Sequence, residues 1–178
     1  MTFKTLLYPV LVLLSEIVAG NLWAQEKYTY DYTPPQSSRY VEEHVIDVDD
    51  MPGHKLRIVE IQRTYTKDHP VIMGVKVTEQ WQRAFTNYVG GTGPVIAYET
   101  WLMEDGSKIF LQVDALTSSE TTPTGSRRGL SQGTLRIVGG TGKFASLRGV
   151  IVTSVEFDSD PKTGYNRPTG RGEYWFLK

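Results

Sequence analysis

From Val71 to Phe85 apolar and polar side chains alternate along the chain. Val75, Val77, Glu79 and Trp81 fall on one face of an extended segment, and Lys76, Thr78, Gln80 and Gln82 on the other. Side chains of a strand repeat every second residue, so the pattern predicts a long β-strand. Shorter strand-like runs occupy 41–48, 56–64, 95–103, 109–115, 129–138, 147–158 and 173–177. No long stretch keeps a helical period. The breaks carry turn chemistry: Asp49-Asp50-Met51-Pro52-Gly53, Lys67-Asp68-His69-Pro70, a glycine-rich loop at 87–94, and Glu104-Asp105-Gly106-Ser107. A polar Ser/Thr/Pro loop is expected at 117–126 and another at 160–164. About eight short-connected strands need their edges managed by a sandwich or by closure, and the regular up-and-down spacing favours closure. The expected fold is therefore all-β, a single eight-stranded antiparallel β-barrel wide enough to hold side chains or one small ligand.

The first residues read differently. Lys4 precedes an apolar run from Leu6 to Leu14, and Ala19-Gly20 and Trp23-Ala24 offer small residues for cleavage. That is the layout of a signal peptide over 1–24, a hydrophobic helix too short to be a stable membrane span. A secreted or periplasmic location follows as an expectation, with an uncleaved N-terminal anchor as the alternative. Residues 25–38, with Pro34-Pro35, read as a polar linker, which leaves 39–178 for the barrel domain.

Composition narrows the chemistry. The net charge of the 178-residue chain is −1 with both signs interspersed, which is no footprint for nucleic acid. No cysteine is present, so disulfides and thiolate chemistry are excluded. His44, His54 and His69 show no metal-ligand spacing, and no Gly-x-Ser-x-Gly elbow marks a serine hydrolase. Gly90-Gly91-Thr92-Gly93 is followed by a strand rather than a helix, so it is not a phosphate cradle. No metal site is expected.

Gly139-Gly140-Thr141-Gly142-Lys143-Phe144, followed by Arg148-Gly149 and an alternating strand, resembles the allene oxide cyclase and dirigent superfamily. The resemblance covers roughly 95–157. It implies an eight-stranded antiparallel barrel whose cavity binds a small apolar or aromatic molecule and steers ring closure or coupling without a cofactor. No family catalytic residue is carried over, and the glycine turn is read as structural.

Two acids stand on apolar faces. Glu79 lies between Val77 and Trp81, and Glu99 between Ala97 and Trp101. If those faces line the interior, either acid, raised in pKa by burial, is a candidate general acid or base. If they face outward, Trp81 and Trp101 become oligomer contacts, or the acids pair with Arg83 or Arg136. Tyr98, on the face opposite Glu99, is the candidate hydroxyl handle if that face is interior. Trp81, Trp101 and Phe157 are the candidate aromatic walls. The function that the resemblance implies is a cofactor-independent isomerase or cyclase acting on a small hydrophobic intermediate. The alternative is a non-catalytic, dirigent- or lipocalin-like barrel that carries an apolar or aromatic ligand. A homo-oligomer is a further expectation.

Overall fold

The computed structural model describes residues 25–160 and 164–178. The 1–24 segment, read above as a signal peptide, lies outside them. The described chain is all-β and antiparallel. Eight strands are long: β2 (Ser37–Asp47), β3 (His54–Thr64), β5 (Val75–Val89), β6 (Gly93–Met103), β7 (Lys108–Thr121), β8 (Arg127–Gly140), β9 (Leu147–Asp158) and β10 (Tyr165–Phe176). Two are short, β1 (Tyr28–Asp31) and β4 (Val71–Ile72). The hydrogen-bonded order is β1-β10-β9-β8-β7-β6-β5-β3-β2, with β4 beside β5. The sheet thus has ten strands rather than eight, and its ladder does not close into the expected barrel. The 25–38 stretch is also more than a linker, because β1 forms inside it and pairs with residues 171–174 of β10. The expected loop at 117–126 is mostly sheet, since β7 runs to Thr121 and pairs Ser118–Thr121 with Arg127–Leu130.

The reason the ladder stops is local. β1 pairs with β10 in the register Tyr28↔Tyr174 to Asp31↔Arg171, and the Tyr32 N–H extends it to the Gly170 carbonyl (3.0 Å). In that register Pro34 comes opposite Pro168. Pro168 shares the parity of Gly170, so its nitrogen also faces this edge, and neither proline has a hydrogen to donate. The ribbon then changes neighbour. Gln36 N–H bonds the Thr64 carbonyl of β3 (3.1 Å), and β2 continues along β3 alone. Every residue of β2 is exposed, as befits the last strand of the path.

A second departure from simple alternation lies in β5. Val77 pairs with Met103 but Glu79 with Leu102, so one extra residue, Thr78, is inserted opposite β6. Its hydroxyl donates to the Leu102 carbonyl (3.1 Å). A bulge of this kind flips the side-chain parity beyond it. Val75 and Val77 point inward before it, and Gln80, Gln82, Ala84 and Thr86 after it.

The Gly139–Phe144 turn joins β8 to β9. Gly142 takes a left-handed φ of 57°, which suits glycine, and the turn delivers Phe144 into the core, where it is fully buried. Trp101, Ile109, Leu111, Leu147 and Ile151 pack there too, so one end of the curled sheet is solid.

Replacing both Pro34 and Pro168 by Val restores the two missing donors. The expected result in amide hydrogen exchange is new protection at positions 34 and 168, with β1 and β10 paired further along. Unchanged fast exchange at both would show that something other than the prolines ends the ladder.

Candidate functional site

All the long strands contribute to one cavity of about 840 Å³. Along β3 the inward residues that line it end at Arg63, along β5 at Gln82 and along β6 at Glu99. The next inward positions, Tyr65, Gln80 and Trp101, are buried and belong to the solid core. The same step occurs from Val113 to Leu111, from Leu135 to Ile137 and from Thr153 to Ile151. Arg63, Gln82 and Glu99 therefore form the floor of a hollow whose other end is open. Above the floor comes an aliphatic belt that includes Val59, Ala84, Val95, Val113, Leu135 and Val155. Above the belt lies a tier of hydroxyls. Tyr88 OH meets Thr117 Oγ1 (3.0 Å), and Thr117 Oγ1 donates to Ser131 Oγ (3.1 Å).

The floor is an ion pair held by one neutral acceptor, Gln82, and one neutral donor, Trp101. Arg63 Nη1 donates to Glu99 Oε1 (3.4 Å) and Nη2 to Gln82 Oε1 (2.7 Å). Trp101 Nε1–H donates to Glu99 Oε2 (2.9 Å). Both members are largely withdrawn from solvent, with side chains 20% and 6% exposed. Three phenols surround them. Burial pushes Tyr30 well above the ordinary tyrosine range. Burial also raises Tyr32, although the Arg63 guanidinium opposes the rise. Tyr65, whose hydroxyl donates to the Thr33 carbonyl (3.1 Å), is raised chiefly by burial as well. Protonated phenols beside Glu99 are donors, not further anions.

The candidate residues separate cleanly. Glu99 is inward, 5% exposed, and on the cavity floor. Trp101 is inward but fully buried beneath the floor, its ring 5.6 Å from Tyr30. Phe157 lines the wall, its ring lying over Gly129, where a Cβ would come within 2.8 Å of it. Glu79 and Trp81 face outward because of the Thr78 bulge. Trp81 Nε1–H donates to Glu79 Oε2 (2.9 Å), and the Arg83 guanidinium lies 5.8 Å from the Trp81 ring centre. Tyr98 also faces outward, 42% exposed and stacked on Phe110 at 6.3 Å. Glu79 and Glu99 are thus on opposite sides of the sheet and cannot act on one ligand. Arg63, Gln82 and Tyr32 were not among the candidates. Arg63 stands with Arg57, Val59 and Ile61 on one face, and that parity was the available signal.

At the open end, Arg127 lines the cavity and donates to the Gly90 carbonyl and to Ser119 Oγ (2.9 Å). Asp158 is buried there. The Asp160 backbone N–H (2.9 Å) holds its carboxyl below the usual range, and Arg128 (3.1 Å) adds to this. His54 ties the β2–β3 turn to β5 through Asp50 Oδ1 (2.5 Å) and Asn87 Oδ1 (2.7 Å). No helix among the described residues is long and apolar enough to cross a membrane.

Comparison with known proteins finds no matching family model, no matching curated protein and no matching solved structure.

Two outcomes follow from this geometry. Arg63→Ala leaves Glu99 withdrawn from water without its counter-ion. The loss is expected at roughly 2–3 kcal/mol in urea unfolding, below that of a fully buried pair because the guanidinium is partly exposed. His54 behaves oppositely to a depressed acid. Asp50 and Asn87 raise its folded pKa above the ordinary 6.5, so its contribution is fully present below about 6.5 and is lost as pH rises through the folded value. Relative to His54→Gln, the wild type should lose stability between pH 5 and pH 9; a constant difference across that range would refute the coupling.

Proposed function

We propose that this protein holds a small, mostly apolar molecule in the hollow of its sheet, with an oxygen function of that molecule on the Arg63–Glu99 floor. The observation that carries the reading is the arrangement itself: an aliphatic belt above a withdrawn ion pair, in a cavity of about 840 Å³. Pockets of this size take one small ligand, and a few convergent polar groups fix its orientation. Because Glu99 already balances Arg63, the floor favours a neutral oxygen, such as a carbonyl or hydroxyl, over a second carboxylate.

The chemistry such a floor supports is cofactor-independent isomerisation or ring closure. Arg63 and the Tyr32 phenol donate to an oxygen on which negative charge develops. Glu99 retains lone pairs to accept a proton. The belt excludes water and holds a folded conformer. The Gly139–Gly149 resemblance to allene oxide cyclase and dirigent proteins supports the same reading. A second reading, a carrier without catalysis, is favoured by one observation: both Glu99 oxygens already accept N–H bonds.

Mass spectrometry of small molecules extracted from the purified protein identifies the ligand. Arg63→Ala should release it. Glu99→Gln should retain the ligand and lose its conversion if the protein is an enzyme. Equal, nil conversion by wild type and Glu99→Gln establishes the carrier. A wild-type protein that binds no apolar compound overturns both readings.

A further inference from the structure

Among the described residues that line the cavity, Thr86 carries a buried side-chain oxygen that has no partner in the fold. Thr86, on β5, is 4% exposed and lines the cavity, yet no protein group bonds its hydroxyl. The inward parity of β5 after the Thr78 bulge places it on the same face as Gln82, four residues further from the floor. Its neighbours across the strands are Arg57 and Val95. Hydroxyls nearby are spoken for: Tyr88, Thr117 and Ser131 satisfy one another. A threonine could satisfy itself on a strand by bonding a backbone carbonyl, as Thr78, Thr153 and Thr169 do. Thr86 does not. Burying an unpaired hydroxyl is unfavourable, and valine would fill the same space without that cost.

We infer that Thr86 is a specificity-determining residue, the second polar anchor for the cavity's ligand. The inference rests on the cavity-binding reading above and adds the ligand's pattern: an apolar body with one oxygen function at the Arg63–Glu99 floor and a second hydrogen-bonding group at Thr86. Four strand residues separate the two anchors by about 13 Å, which an extended chain of about ten carbons spans. Ala84 lies between them on the β5 wall and offers no polar atom, so the middle of the ligand is apolar.

The test uses displacement of the fluorescent probe aminoanthracene from the full chain by straight-chain alcohols. Decanediol, with a hydroxyl on each end carbon, carries both groups at the required separation; decanol carries one, and hexanediol carries two too close together. Decanediol should compete at least about fivefold better than either, the worth of one hydrogen bond. Thr86→Val should abolish that advantage while leaving decanol competition as in the wild type, and Thr86→Ser should restore it. Equal competition by diol and alcohol in the wild type, or an advantage that survives in Thr86→Val, overturns the assignment. Failure of aminoanthracene to bind the wild type overturns instead the cavity-binding reading on which it stands. Urea unfolding of Thr86→Val serves as the folding control, and Thr86→Ala, which also removes the hydroxyl, decides the matter if the valine variant does not fold.

Discussion

A strand has only two faces, and a single inserted residue decides which of them the cavity sees. Thr78 is that residue in β5. Before it, the odd-numbered valines enter the core. After it, the even-numbered Gln80, Gln82, Ala84 and Thr86 turn inward. Without the insertion Glu79 and Trp81 would be inside, and Gln82, which accepts from Arg63, would be outside. The polar floor and the wall above it depend on this one change of parity.

The two ends of the curled sheet solve different problems. Around Trp101, Phe144 and Leu147 the interior is filled, and burial of large apolar side chains supplies the main stabilising term. Towards the mouth the inward positions carry smaller or polar residues, such as Ala84, Ala115, Thr86 and Thr117, and the interior is left hollow. The Arg63–Glu99 pair sits at the boundary. It is withdrawn enough to need partners, which Trp101 and Gln82 supply, and close enough to the hollow to meet a ligand. The solid end holds the strands in register, so the floor is rigid in a way that a loop-borne site is not.

Much of this arrangement is legible in the chain. Alternation in β6 placed Glu99 with Val95, Ala97 and Trp101, and that face is the inward one. The β9 face of Ile151, Thr153, Val155 and Phe157 is likewise inward, and the glycine turn at 139–142 does join two strands. What alternation does not reveal is a change of phase. The run from Val75 to Trp81 reads as one uninterrupted face because the bulged residue is a threonine, equally at home on either side. Tyr98 and Glu99 are adjacent on one strand, so only one could be inside, and nothing in β6 alone decides between them. β1 was hidden for a similar reason. Pro34-Pro35 marks the neighbourhood as irregular, while the pairing of Tyr28–Asp31 depends on a strand more than a hundred residues away.

That pairing has a bearing on how the molecule comes together. The first described strand needs residues 171–174 as its partner. During synthesis this strand must therefore wait until residues 171–174 have been made before it can dock. Contacts so distant in sequence form late and slowly. Until they do, Tyr28 lacks the Tyr174 ring on which it stacks. A chain that still lacks those residues accordingly leaves the β10-facing edge of β1 and the Tyr28 ring uncovered, and a clasp between strands far apart in sequence closes both.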